Sequence, residues 1–95
     1  MDGSDELVEV FKALSDPTRL RLVKLLGAGQ SLCVNALARR LGVTQSAVSQ
    51  HLRVLRQAGL VAGVRQGSFI HYGLRADRLK TYRKRMAKVL GEGAS

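Results

Sequence analysis

The residues with the most informative chemistry lie between positions 45 and 57. At about 100° per residue of an α-helix, this segment separates into an apolar arc and a polar arc. The polar arc carries amides, hydroxyls and guanidinium groups but no carboxylate: Gln45, Ser46, Ser49, Gln50, Arg53, Arg56 and Gln57. Ordinary solvated helix faces mix both signs of charge. Amides suit adenine, and guanidinium groups suit guanine or phosphate, so this arc is suited to a nucleic acid.

A short turn between two helices precedes this arc. Gly42 can supply the positive φ angle that ends one helix, and Thr44 is a suitable N-cap for the next. This arrangement describes a helix-turn-helix, whose second helix enters the major groove of DNA. We expect base contacts from Gln45, Ser46, Ser49 and Gln50, and mainly phosphate contacts from Arg40, Arg53 and Arg56, with Thr44 at the helix start. The alternative is an ordinary helical pair with a polar outer face.

Two β-like runs, at about 60–64 and 69–74, follow on either side of a turn that contains Gly67. They predict a β-hairpin. Because side chains alternate along a strand, three of them should face the core: Ile70, Tyr72 and Leu74. A hairpin after a recognition helix is the wing of a winged helix, and we expect Arg65 and Gln66 at its tip to contact DNA. The alternative is a hairpin that only closes the core.

Apolar spacing predicts the remaining architecture. Asp16 should cap a helix that begins at Pro17, and Ser31 should cap a third helix. The predicted helices cover about 5–14, 17–26, 32–41, 45–58 and 76–90. The fold class is therefore mainly α with a small β-hairpin, an α+β arrangement in the order α-α-α-α-β-β-α, within one domain spanning residues 1–95.

The last predicted helix has an apolar stripe with few remaining partners in so short a chain. We therefore predict a homodimer whose interface includes the apolar residues of the last helix: Leu79, Tyr82, Met86 and Val89. Packing of the stripe within the same chain is the alternative. Two symmetric recognition helices would read half-sites roughly one turn of DNA apart.

Composition favours a polyanionic partner. The formal net charge is +9, and residues 39–95 hold twelve bases and two acids, whereas residues 1–38 hold four bases and five acids. The N-terminal segment lacks the features of a secretion signal, and no apolar stretch is long enough to span a membrane, so we expect a cytoplasmic protein with no membrane partner. No nucleophile–base pair or phosphate-binding glycine loop is found, so we do not expect an enzyme or a cofactor.

Three segments carry a family resemblance: FKALSDPTRLRLVKLL at 11–26, LARRLGVTQSAVSQHLRVLRQAGLV at 37–61, and Arg-Gln-Gly at 65–67 before Tyr72. Taken together and in this order, they are similar to the ArsR/SmtB-type winged-helix repressors. The resemblance spans nearly everything from Phe11 to Leu90. It implies a homodimer formed by the first and last helices, with Leu7 and Phe11 of the first helix in the interface. It also implies an operator that is an imperfect inverted repeat, and release of double-stranded DNA when an effector binds.

The chain departs from that family in its sensor residues. Arsenic-responsive members resemble one another in a Cys-Val-Cys pair, where this chain has Cys33-Val34-Asn35, and zinc-type members carry Asp and His ligands on a last helix that here offers only Asp77. We therefore expect neither metal site. Cys33 is either a sensor thiol, alone or shared between two copies, or a small buried residue on the face of Leu37. His51, inside the apolar arc, is predicted to be a hydrogen-bonded core residue.

Two other functions stay open at this point. A winged helix can bind a protein or an RNA, although such uses do not require an acid-free recognition helix. A basic protein can also coat DNA without sequence preference. The sequence leaves the effector unidentified and does not separate repression from activation.

Overall fold

The computed structural model describes residues 4–91, with side chains from Glu6 onward. This range contains helices α1 (Ser4–Leu14), α2 (Pro17–Leu26), α3 (Val34–Leu41), α4 (Gln45–Gln57) and α5 (Ala76–Val89), and strands β1 (Leu32–Cys33), β2 (Val61–Gln66) and β3 (Phe69–Leu74). The strands form one antiparallel sheet in the order β1-β3-β2. The predicted order of helices and hairpin is confirmed, with β1 as an addition. None of the helices in this range combines the length and the apolar character needed to cross a membrane.

The helices pack around a core to which every helix contributes. Each presents aliphatic residues at helical spacing, and burial of these side chains is the main force that holds the helices together. No charged or polar residue is buried among the described side chains. The core consists of Leu7, Val10, Ala13, Leu22, Leu26, Leu37, Ala38, Leu41, Val48, Leu52, Leu55, Leu60, Val61 and Tyr82.

The start of α3 differs from the prediction. Ser31 does not cap this helix, which begins at Val34 with Cys33 as an N-cap that makes no side-chain hydrogen bond. Leu32 and Cys33 instead form β1, and they pair with Tyr72 and His71 of β3. Pairing with a strand distant in sequence satisfies the backbone of 32–33, and it overrides the local helical pattern.

The hairpin of β2 and β3 is confirmed, and its register runs from Val61 opposite Leu74 to Gln66 opposite Phe69. Gly67, with φ +64°, allows the tight turn. Tyr72 and Leu74 pack against the core as predicted. Ile70 does not, because it is 41% exposed in the outer part of the hairpin, where both strands extend into solvent.

Helix α5 closes the structure by docking on the C-terminal end of α4. Its Tyr82 is 4% exposed, and the hydroxyl donates a hydrogen bond of 3.0 Å to the carbonyl oxygen of Ala58. Gly59 follows with φ +76°, and a Cβ atom there would lie 2.9 Å from the Tyr82 hydroxyl. The backbone N–H of Arg75 donates to the Leu60 carbonyl at 2.9 Å. Absence of a side chain at Gly59 therefore permits the close approach of α5 to α4.

Candidate nucleic-acid interface

Helix α4 is positioned at its start by local chemistry. Gly42 adopts φ +70° and ends α3, and its N–H donates to the Ala38 carbonyl. Thr44 has an extended backbone, and its hydroxyl oxygen accepts a hydrogen bond of 3.0 Å from the Ala47 N–H. The two helices are thereby joined by the predicted short turn, and the structure confirms a helix-turn-helix.

The rotation of α4 about its axis is fixed by its buried side. Val48, Leu52 and Leu55 are buried in the core. The predicted polar arc therefore lies on the outside, and the structure finds all of its members exposed: Gln45, Ser46, Ser49, Gln50, Arg53, Arg56 and Gln57. We call these seven residues the α4 polar face.

The α4 polar face is not used by the fold. Among the described residues, none of its side chains takes part in a hydrogen bond or an ion pair. The chain segment that contains α4, from Pro17 to Ala76, holds nine lysine and arginine residues and no aspartate or glutamate. Unpaired donors on an acid-free face produce a positive potential that attracts a polyanion.

The hairpin places one of its two predicted tip residues near α4. Arg65 is exposed, and together with Asn35 and Gln45 it lines a cleft of about 340 Å³ between the hairpin, α3 and the start of α4. Gln66 is also exposed, but it does not line this cleft. The structure thus brings Arg65 and Gln45 together at one cleft, which Gln66 does not share.

Two adjacent arginines of α3 differ in their surroundings. Arg39 lines a second cleft with Asn35, Thr44 and Gln45, directly beside the start of α4. Arg40 donates a hydrogen bond of 3.0 Å to the side-chain oxygen of Gln30 and is exposed. The sequence prediction named Arg40 and missed Arg39. The spacing of Asn35 and Arg39, four residues apart and therefore on one helix face, was the available signal.

His51 is hydrogen-bonded, as the sequence predicted, but it is not one of the buried core residues. It is partly buried, and its Nδ1 atom lies 3.2 Å from Nη1 of Arg19. Because a guanidinium group can only donate, Nδ1 accepts in this contact. Arg19 also donates through Nε to the carbonyl of Ala13 at 2.6 Å, and its backbone N–H holds the pKa of Asp16 below the ordinary value. Arg19 thus links α1, α2 and α4.

Cys33 is partly buried and forms no disulfide. It lies opposite His71 in the sheet, at the N-cap of α3. Among the side chains from Glu6 to Gly91, no three of His, Cys, Asp and Glu come together as a metal site would require. Cys33 therefore occupies a strand position beside one histidine, instead of the helical position expected from the sequence.

Helices α1 and α5 touch and expose apolar residues. Arg85 of α5 donates a hydrogen bond to Glu6 of α1 and forms an ion pair with it. The hydrogen bond and the positive charge of Arg85 both lower the pKa of the Glu6 carboxyl. Of the residues predicted for a dimer interface, Phe11 is 44% and Val89 67% exposed, and Leu79 and Met86 are partly buried.

The structure corrects the dimer-interface prediction for Leu7 and Tyr82, which are only 5% and 4% exposed within a single chain. Their side chains are covered by the protomer's own core, so they offer little surface to a partner. The structure adds Val8 and Leu90, which are exposed and which the sequence prediction did not include.

Comparisons with known proteins agree with this geometry. The family model described as "Bacterial regulatory protein, arsR family" matches residues 16–62. A transcriptional repressor SmtB homolog of Synechocystis is 40% identical over 92 residues, which cover 97% of this chain and 69% of that protein.

Solved structures add the fold. An ArsR-like transcriptional regulator from Rhodococcus superposes with a TM-score of 0.85 at 33% identity, covering 96% of this chain and 85% of that one. A homodimeric winged helix-turn-helix DNA-binding domain from Mycobacterium bovis superposes with a TM-score of 0.74 at 28% identity. This match covers 93% of this chain and 80% of that one. With this fold and these relatives, the chain belongs to the ArsR family of winged-helix transcriptional regulators.

Proposed function

We propose that this protein is a repressor that binds, as a homodimer, a double-stranded DNA operator with inverted-repeat symmetry, and that an effector releases it. One observation carries the proposal. The α4 polar face is exposed, lacks carboxylates and makes no side-chain hydrogen bond or ion pair with any described residue. A surface spent on packing would have partners, and a merely solvated surface would mix acids with bases.

Base recognition belongs to the first two turns of α4. Residues near the start of a recognition helix reach the base edges, and the amides and hydroxyls there match the donor and acceptor pattern of the major groove. These residues are Gln45, Ser46, Ser49 and Gln50. The Thr44 hydroxyl oxygen is engaged in capping, and its hydrogen stays available to a phosphate.

Phosphate binding belongs to the arginines around this helix. Arg53 and Arg56 extend from the polar face of α4, and Arg39, Arg40 and Arg65 flank it from α3 and the hairpin. Phosphate contacts supply affinity and register, and base contacts supply specificity. Gln66 at the turn of the hairpin is a further phosphate contact in this proposal.

The dimer is proposed to form through α1 and α5. Isolated exposed apolar residues are normal, but Val8 and Phe11 lie one helical turn apart on α1, and Val89 and Leu90 end the adjacent α5. Partly buried Leu79 and Met86 continue this surface. The homodimeric relative from Mycobacterium bovis supports this assembly. A twofold axis would place the two copies of α4 in successive major grooves of the operator. The proposed site of action is DNA in the cytoplasm.

Selection from a random duplex library tests the proposal. We expect enrichment of one inverted repeat whose half-sites are about 10 base pairs apart, the separation that two symmetric recognition helices require. Equal binding to every duplex, or tighter binding to RNA than to the selected duplex in a separate assay, would support one of the competing functions instead. A light-scattering mass of a monomer under the same conditions would contradict the dimer.

Variants separate the two kinds of contact. Gln45→Ala and Ser49→Ala should reduce the preference for the selected operator over random DNA, by about 1–3 kcal/mol for a bidentate contact. Arg53→Ala should weaken binding to the operator and to random duplexes by the same factor, because it removes a phosphate contact. If Arg53→Ala alone changed the preferred base, the assignment of roles would be wrong.

A further inference from the structure

One cleft is lined by none of the residues that are proposed to contact DNA. It lies between the C-terminal end of α2, the loop that follows it, the end of β3 and the first half of α5, and it has a volume of about 520 Å³. This volume lies in the range of about 300–1,000 Å³ that is typical of small-molecule sites. It is larger than the cleft beside the hairpin.

Glycines keep this cleft open. Gly27, Gly29 and Gly73 all line it. A Cβ atom at Gly73 would meet only the carbonyl oxygen of Gln30, at 3.9 Å, and a Cβ atom at Gly29 would meet nothing within 4 Å. Larger side chains at Gly29 and Gly73 would therefore occupy space that the fold leaves empty.

The lining combines apolar walls with one cation. Leu26, Leu74 and Leu79 supply the apolar surface, and Gln30 and Ser31 supply polar groups. Leu79 also belongs to the proposed dimer surface, so the cleft lies at the edge of that surface. Arg83 lines the cleft, is exposed, and has no hydrogen bond or ion pair with any described residue. No acidic residue lines the cleft.

The first residue of α5, Ala76, also lines the cleft, so the positive end of this helix dipole lies at the same wall as Arg83. The opposite wall is the negative, C-terminal end of α2. An anionic group is therefore favoured at the α5 wall, with its apolar part against the leucines.

We propose that this cleft binds a small organic anion, a carboxylate with an aromatic or aliphatic body, and that its occupation weakens operator binding. The second half of this statement depends on the proposed function. Leu79 and Arg83 flank Tyr82 on α5, and Tyr82 holds the end of α4 through Ala58. A ligand that shifts α5 changes the contact that orients the recognition helix.

The first experiment measures binding of phenylbutyrate by calorimetry, without DNA, and compares it with the neutral phenylbutyramide. The acid should bind more tightly than the amide by about tenfold or more, because the amide cannot form the charge-assisted hydrogen bond with Arg83. Arg83→Gln should remove this difference. Lys84→Gln, which removes the same charge from the next residue of α5, lies outside the cleft and should retain it.

A second pair of variants tests the location. Gly73→Val adds three carbon atoms in the cleft and should abolish binding, whereas Ala62→Val adds two at the exposed neighbouring position on β2, which does not line the cleft, and should not. Thermal unfolding checks that both variants fold. Equal binding of acid and amide, equal loss in Lys84→Gln, or no binding because a partner subunit fills the cleft would each overturn the proposal.

Operator affinity is then measured with and without phenylbutyrate. A decrease in wild type that is absent from Arg83→Gln supports the regulatory role, and binding without any effect on the operator overturns it. If no operator is found at all, the proposed function fails while the calorimetric result stands by itself.

Discussion

The salt dependence of operator binding can be worked out from the arginines around α4. Four exposed guanidinium groups on this side have no hydrogen bond or ion pair with a described residue: Arg39, Arg53, Arg56 and Arg65. A dimer would present about eight, and each phosphate contact contributes about −0.9 to the slope of log K against log salt. We therefore expect a slope of about −7 and a loss of affinity of about 10⁴ between about 50 and 200 mM salt.

Arg53→Gln should change this slope by about two, because each dimer loses two of its contacts. The variant should fold normally, since the side chain is exposed and makes no contact that the fold needs. Fluorescence anisotropy at a series of salt concentrations measures the slope on the selected operator and on a random duplex. Both duplexes should show the same change.

Lys84→Gln is the matched control, because it removes one positive charge from α5 at a distance from the polar face of α4. Its slope should equal that of wild type. If Lys84→Gln and Arg53→Gln changed the slope equally, net charge and not a defined set of contacts would govern binding. A wild-type slope shallower than about −3 would likewise refute the count of phosphate contacts.

Three further predictions concern the contacts that hold α4 and α5. Tyr82→Phe removes the hydrogen bond to Ala58, and urea unfolding should show a loss of about 0.5–1.5 kcal/mol; no loss would mean that water replaces the bond. Gly59→Ala should destabilise the protein more than Gly67→Ala in the same assay. Both glycines have a positive φ, which costs an alanine about 1–2 kcal/mol, but only the Cβ at Gly59 would also meet other atoms. Equal losses would contradict the close approach of α5 to Gly59. Glu6 has a lowered pKa, so its contribution to stability is complete above its ordinary value of 4.5 and is lost as the pH falls through the folded-state pKa. Unfolding curves of Glu6→Gln should lose that acid-dependent step, and an unchanged step would assign it to another carboxyl.

The helix-turn-helix could be predicted because its signals are local. Gly42 and Thr44 act within one turn of the chain, and the polarity of α4 repeats at helical spacing. The hairpin was predictable for the same reason, since alternation and Gly67 are both properties of adjacent residues. In each case the interactions that decide the structure connect residues close in sequence.

The missed features depend on residues that are distant in sequence. Strand β1 exists because Leu32 pairs with Tyr72, and no pattern near Leu32 reports that partner. Tyr82 was assigned to a subunit interface because its stripe is apolar, but the space beside Gly59 receives it within the chain. Arg39 and Arg40 differ by one residue. The spacing of Asn35 and Arg39 indicates a shared helix face, but the rotation of α3 on the core decides which face lies beside Gln45.

The two ends of α4 are held by different elements, and this determines how a change at the proposed dimer surface can reach DNA. Its start is held by Thr44, within the helix-turn-helix. Its end is followed by two carbonyls, of Ala58 and Leu60, that accept hydrogen bonds from Tyr82 and from Arg75 just before α5. Since α5 also carries apolar residues proposed for the dimer surface, a rotation of α5 either moves the end of α4 or breaks these bonds. The separation of two recognition helices therefore depends on contacts inside each protomer as much as on the contact between protomers.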